Sequence, residues 1–214
     1  MRKLLYKEFR LALHPTCLIF LTLSAMLLIP NYPYYVTFFY TCLGIFFVCL
    51  TGRENQDMLY MLLLPVRKRD VVRARIAMAA ALELLQAAAA VPFMILRSLI
   101  PTGNQVGMDA NLAFLGLAFP MLGLFNFAFF TRYYRDPSQI GKPFAIGSAV
   151  LFAYIAVMET LTHIIPFFRN VLDTRDPLHL PQKLAVLALG LALWGLLTLA
   201  ACHRAERSFE RIDL

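Results

Sequence analysis

Two sets of side chains have the types and spacing for proton chemistry, and both lie in apolar surroundings. Glu159 and His163 stand four residues apart in "METLTHII", which puts them on one face of a helix. Glu83 and Gln86 stand three apart in "ALELLQAAAA", and Asn126 lies in "LFNFAFF". A carboxylate beside an imidazole can work as a general acid–base pair. A carboxylate in hydrocarbon costs several kcal/mol and must face a bundle interior, water or a partner. An intramembrane enzyme built on Glu83 or Glu159 needs a second catalytic group at helical spacing, and His163 alone qualifies. No GxxxxGK[ST], HExxH or GxSxG motif occurs, and "GKP" at 141–143 lacks the upstream glycine and the hydroxyl of a phosphate loop. Cys17, Cys42, Cys49 and Cys202 form no CxxC pair. Cys42 and Cys49 would be roughly 10 Å apart along one helix, too far to bridge, so free thiols and no metal site are expected.

The polar set has two readings. In one, Glu83, Gln86, Asn126, Glu159 and His163 line a path that accommodates polar or cationic groups. In the other, Glu83 and Gln86 belong to an interhelical hydrogen-bonding set, and Glu159 and His163 satisfy each other beneath an outer loop.

The elements that must position these residues are read from composition. Of the 214 residues 60% are hydrophobic and 15% charged, against about 45–50% and about 25% in soluble domains. The apolar residues fall in blocks of the length that spans ~30 Å of hydrocarbon. Six spans are expected, near residues 14–30, 34–51, 76–96, 111–131, 144–165 and 184–202, giving one all-α polytopic domain over 1–214 without internal repeats. With both termini cytoplasmic, sixteen cations lie inside and four (Arg97, Arg169, Arg175, Lys183) outside. That asymmetry sets the orientation. The net charge of +7 resides in short loops between apolar blocks, which excludes the gathered basic surface of a nucleic-acid binder.

Residues 1–13, "MRKLLYKEFRLAL", read as an amphipathic interfacial helix, with Lys3, Lys7 and Arg10 on one side and Glu8 misplaced near the apolar side. A plainer alternative is a basic extension of the first span; His14-Pro15 supplies the bend between the two. A signal peptide is disfavoured, because no small-x-small cleavage site follows. Tyr32, Tyr34 and Tyr35 at one end and Tyr133 and Tyr134 at the other suit the headgroup zone. The loop 52–75 holds the least usual stretch, "ENQDMLYMLLLPVRKRD". Asp57 can cap the run Met58–Leu64, and Pro65 stops it, giving about two turns of greasy helix among charges. So short a helix is unstable in water and must bury itself in lipid or in a partner's groove.

The stretch 52–75, "GRENQDMLYMLLLPVRKRDVVRAR", resembles the signature of ABC-2-type transporter permeases, and most nearly those exporting cytolytic peptides (phenol-soluble modulins) from Gram-positive bacteria. The matching residues are Glu54-Asn55, Asp57, the apolar run, Leu64-Pro65-Val66, Lys68, Asp70, Val72 and Ala74-Arg75. Elsewhere the resemblance is one of topology. It implies a multi-pass subunit of the bacterial plasma membrane and a coupling helix docked in a separate ATP-binding subunit. Glu54, Asp57, Met58, Tyr60, Leu62, Leu63, Leu64, Arg67 and Lys68 would make that contact. It also implies a second permease, identical or different, ATP and magnesium held by the ATPase and no cofactor on this chain, and an amphipathic peptide cargo. In relatives, short re-entrant helices in the region of residues 164–183 close an outer gate, a role that would fall to Phe167 and Phe168. The rival reading is a membrane sensor or immunity module that docks a cytoplasmic partner and transports nothing.

Overall fold

Apolar segments deprived of water must satisfy every backbone N–H and C=O internally, which a helix does. The computed structural model describes residues 2–100 and 103–212, and among these it is all-helical. Helix α1 runs Arg2–Ala12, its last five residues wound as a π-helix, and α2 runs Pro15–Leu28, tightening to 3-10 from Leu23. There follow α3 (Tyr35–Glu54), α4 (Asp57–Leu63), α5 (Lys68–Ser98), α6 (Leu112–Tyr133), α7 (Gly141–Ile164) and α8 (Leu180–Glu210). One π turn, Phe168–Leu172, lies between α7 and α8.

Five helices, α3 and α5 to α8, are long and apolar enough to cross a membrane, and six if the bent pair α1–α2 is one span. The 78° bend falls at His14, whose backbone is extended before Pro15 and whose ring accepts a hydrogen bond from the Thr16 N–H. The expected first span, residues 14–30, is therefore the short one. Eight α residues and six 3-10 residues reach only ~24 Å.

Helix α6 forms the centre of the bundle: 72% of its apolar window is buried, against 17% for α7 and α8. It packs most extensively on α8. Their backbones meet at Gly116 and Gly190, where a Cβ on Gly190 would stand 1.9 Å from the Gly116 carbonyl oxygen. Small residues permit this close approach, as is usual between helices in lipid. Asn111 begins α6 by accepting a hydrogen bond from the Phe114 N–H (2.9 Å).

Two helices outrun the expected spans. Helix α5 starts at Lys68 and α8 continues to Glu210, and the projecting turns are joined by ion pairs Arg69–Glu210 and Arg73–Glu206 (2.7 Å). The loop expected over 52–75 therefore reduces to the end of α3, the helix α4 and a short link, with 68–75 belonging to α5. The tyrosines also differ from expectation. Tyr34, Tyr35, Tyr133 and Tyr134 are all buried. Tyr35 packs on Phe114, and Phe125, Phe129 and Tyr133 stack in line along α6, so these rings are turned into the core and not outward.

Candidate functional site

The short apolar run forms the helix α4, and Leu64 turns extended ahead of Pro65, as a residue before proline must. Asp57 is its first helical residue and not its cap: Gln56 takes the cap position in a left-handed conformation without a side-chain bond. The Asp57 carboxylate is occupied elsewhere. It receives Lys7 Nζ (2.6 Å) from α1 and Arg75 Nη2 (2.6 Å) from α5. Arg75, 3% exposed, also pairs with Glu8, 2% exposed. Glu8 is thus the apparent misfit of the amphipathic pattern, turned inward to meet a buried guanidinium. Gly52 leaves room for it, since a Cβ there would lie 3.2 Å from Arg75 Nη1. Four charged groups from α1, α4 and α5 bind the short helix to the bundle.

Around this anchor the expected docking residues separate into two groups. Met61 is buried, and Met58 and Leu62 pack partly against the core. Leu59, Tyr60, Leu63 and Leu64 are exposed, Leu63 most of all at 79%. Glu54 and Arg67 are exposed as well. Lys68 is turned away, its Nζ bonded to the Ile212 carbonyl (2.6 Å) near the chain's end. Between α1 and α4 runs a groove of about 1070 Å³, with Lys3, Leu4 and Leu11 on one wall and Tyr60, Leu64 and Arg67 on the other.

The polar residues of the bundle form two sets. Glu83 and Asn126 come together: Glu83 Oε2 accepts from Asn126 Nδ2 (2.9 Å) and from Trp194 Nε1 (2.6 Å), and Asn126 Nδ2 also reaches Thr198 Oγ1 (3.1 Å). Gln86 donates to Ser24 Oγ (2.9 Å). All three residues are completely buried. They tie α2, α5, α6 and α8 together, in line with the interhelical alternative. Trp194 and Thr198 gave no sign in the sequence beyond their place in an apolar block.

Glu159 and His163 sit under the loop before α6, but each bonds the loop and not the other. Glu159 Oε2 accepts from the Met108 N–H (3.2 Å), and His163 Nε2 lies 3.3 Å from the Val106 carbonyl. The loop continues into an interlocked cap. Asn111 donates to the carbonyls of Leu172 and Thr174, Asp173 accepts from the Asp109 N–H (2.7 Å), and the fully buried Lys183 pairs with Asp176 (2.8 Å). Burial pushes the Asp173 carboxyl up to about 6, against the opposing pull of the Asp109 N–H. Phe167 is half exposed, and Phe168 packs against the core at the start of the π turn, with the two rings edge to face.

No family model matches the sequence, and neither a curated protein nor a solved structure matches it.

Proposed function

We propose that the chain is the membrane subunit of an ATP-driven exporter of the ABC-2 type, and that α4 couples it to a separate ATP-binding subunit. The observation that supports this best is α4 itself. Its inner face is fixed by the Lys7–Asp57–Arg75–Glu8 cluster, and its outer face leaves Leu59, Tyr60, Leu63 and Leu64 exposed among the described residues. Burying such residues in a protein groove is worth ~1.5–3 kcal/mol each, set against the cost of association. A helix so anchored transmits force: movement at α4 passes through Asp57 and Arg75 into the long α5. The resemblance of residues 52–75 to ABC-2 permeases supplies the identity of the partner. The charge asymmetry supports cytoplasmic termini, with α4 on the cytoplasmic side. The cargo class, amphipathic peptide, and the pairing with a second permease rest on the resemblance.

The test is co-purification in detergent with the ATPase encoded beside it. Leu63→Asp places a charge on the most exposed position of α4 and should abolish the complex while leaving membrane insertion and thermal stability unchanged. Leu62, half turned into the bundle, makes a poorer probe because its variant disturbs folding as well. A complex that survives Leu63→Asp refutes the coupling assignment. A well-folded chain that captures no ATPase moves the non-transporting sensor to first place.

A further inference from the structure

Three buried acceptor atoms of the network around Glu83 have no donor. Glu83 Oε2 receives two N–H groups, from Trp194 and Asn126. One amide N–H of Gln86 goes to Ser24, and Asn126 gives its second N–H to Thr198. On the other side of each group stands an acceptor with no donor: Glu83 Oε1, Gln86 Oε1 and Asn126 Oδ1, in residues that are 0% exposed. No cation among the described residues pairs with Glu83. Its neighbours are Asn126 from α6, Trp194 and Thr198 from α8, and Gln86 on its own helix, which carries the link to Ser24 of α2. The titratable group beside it is the Cys42 thiol of α3.

A bare carboxylate here would be buried in hydrocarbon, unpaired, with one oxygen bonded to nothing. One hydrogen alters the count. Protonated at Oε1, Glu83 becomes a donor, and Gln86, three residues along the same helix, carries an acceptor oxygen that lacks one. We infer that Glu83 is a proton-binding site, holding a neutral carboxylic acid inside the bundle whose O–H is given to Gln86 and whose Oε2 receives Trp194 and Asn126. The site has an approach. A groove of about 490 Å³ between α5 and α8 is lined by Ile76, Ala77, Ala80 and Leu199, and its wall includes Trp194 and Thr198, two side chains of the network itself. Trp194 stands between the acid and that groove, so its displacement lets a water molecule take the proton and leaves the carboxylate behind. This assignment stands on the network alone, whether or not an ATPase docks at α4.

Trp194 is the only tryptophan in the chain, and its indole N–H rests on the acid, so its emission reports the charge on Glu83 without background. The experiment uses the full chain in lipid nanodiscs, titrated from about pH 5 to about pH 10, with infrared spectra taken alongside. A one-proton shift in Trp194 emission is expected in wild type and not in Glu83→Gln, which keeps the neutral shape. At neutral pH, a protonated carboxyl C=O band should be present in wild type and lost in Glu83→Gln. Should that variant fail to fold, Trp194→Phe decides, because removing the N–H donor to Oε2 moves the band of a protonated Glu83 and of no other acid. A wild type lacking a Glu83-dependent band, a band unmoved in Trp194→Phe, or emission that follows sodium concentration and not pH would each overturn the proton assignment.

Discussion

Arg75 is the residue on which the basic end of the molecule depends. It is buried and paired with both Glu8 and Asp57. Removing one partner from such a group leaves an uncompensated buried charge, at a cost of about 3–5 kcal/mol. Arg75→Met should therefore lower the thermal midpoint in detergent far more than Arg67→Met, whose side chain is exposed. Equal midpoints would show the cluster to be unimportant for stability. Asp173 governs the opposite end through pH. Its carboxyl is raised to about 6 from 3.8, so the fold prefers it protonated. The sign follows: this contribution is fully present below about pH 4 and lost as pH rises through about 6. Partial exposure limits it to about 1–2 kcal/mol. Asp109, His163 and Lys183 also act on the group, so the decisive comparison is Asp173→Asn, in which the fall in stability between pH 4 and pH 7 should flatten, read as thermal midpoint against pH. Two carboxylates were misread in the sequence. Glu8 looked like a flaw in an amphipathic pattern, and Asp57 like a helix cap. Their shared partner lies far along the chain in α5, and no local pattern reveals a tertiary ion pair.

Helix lengths and contacts form the next level. Gly190 and Gly195 are five residues apart on α8 but differ in what surrounds them. A Cβ at Gly190 would strike the Gly116 backbone at 1.9 Å, whereas one at Gly195 would meet nothing within 4 Å. Gly190→Ala should therefore force α6 and α8 apart, costing about 1–3 kcal/mol as overpacking does, while Gly195→Ala should be neutral or slightly stabilising through helix propensity. Comparable thermal midpoints for the two would mean that the crossing is looser than described. The helices themselves were legible because ~20-residue apolar blocks admit little else, and α4 was legible because Pro65 stops it. Their ends were not. Hydropathy marks where a chain leaves hydrocarbon, but α5 and α8 stay helical beyond that point because Arg69 and Arg73 meet Glu210 and Glu206 across the gap. The tyrosines were half legible: ring type suggests a surface position, while the stacking of Tyr133 on Phe129 turns it inward.

Over the whole molecule, charge divides the two ends. α4 and the projecting turns of α5 and α8 gather at one, and the interlocked cap at the other. On the positive-inside reading, a cysteine replacing the exposed Arg207 of α8, away from the docking face, should react with an impermeant maleimide only after cells are opened. One replacing Leu178 (60% exposed) should react in intact cells, with the native cysteines replaced in both variants. The reverse pattern would invert the orientation and remove α4 from the cytoplasm. The link between the first helix and the fifth also sets an order of events during synthesis. Glu8 and Arg75 are 67 residues apart, so at about 5–20 residues/s the acid emerges some 3–13 s before its partner exists. Throughout that interval α1 has only the adjacent Lys7 to meet that carboxylate, without the buried guanidinium that fixes it in the finished fold. The arrival of α5 ends the wait, closing the N-terminal segment, the short helix and the bundle together in one late step.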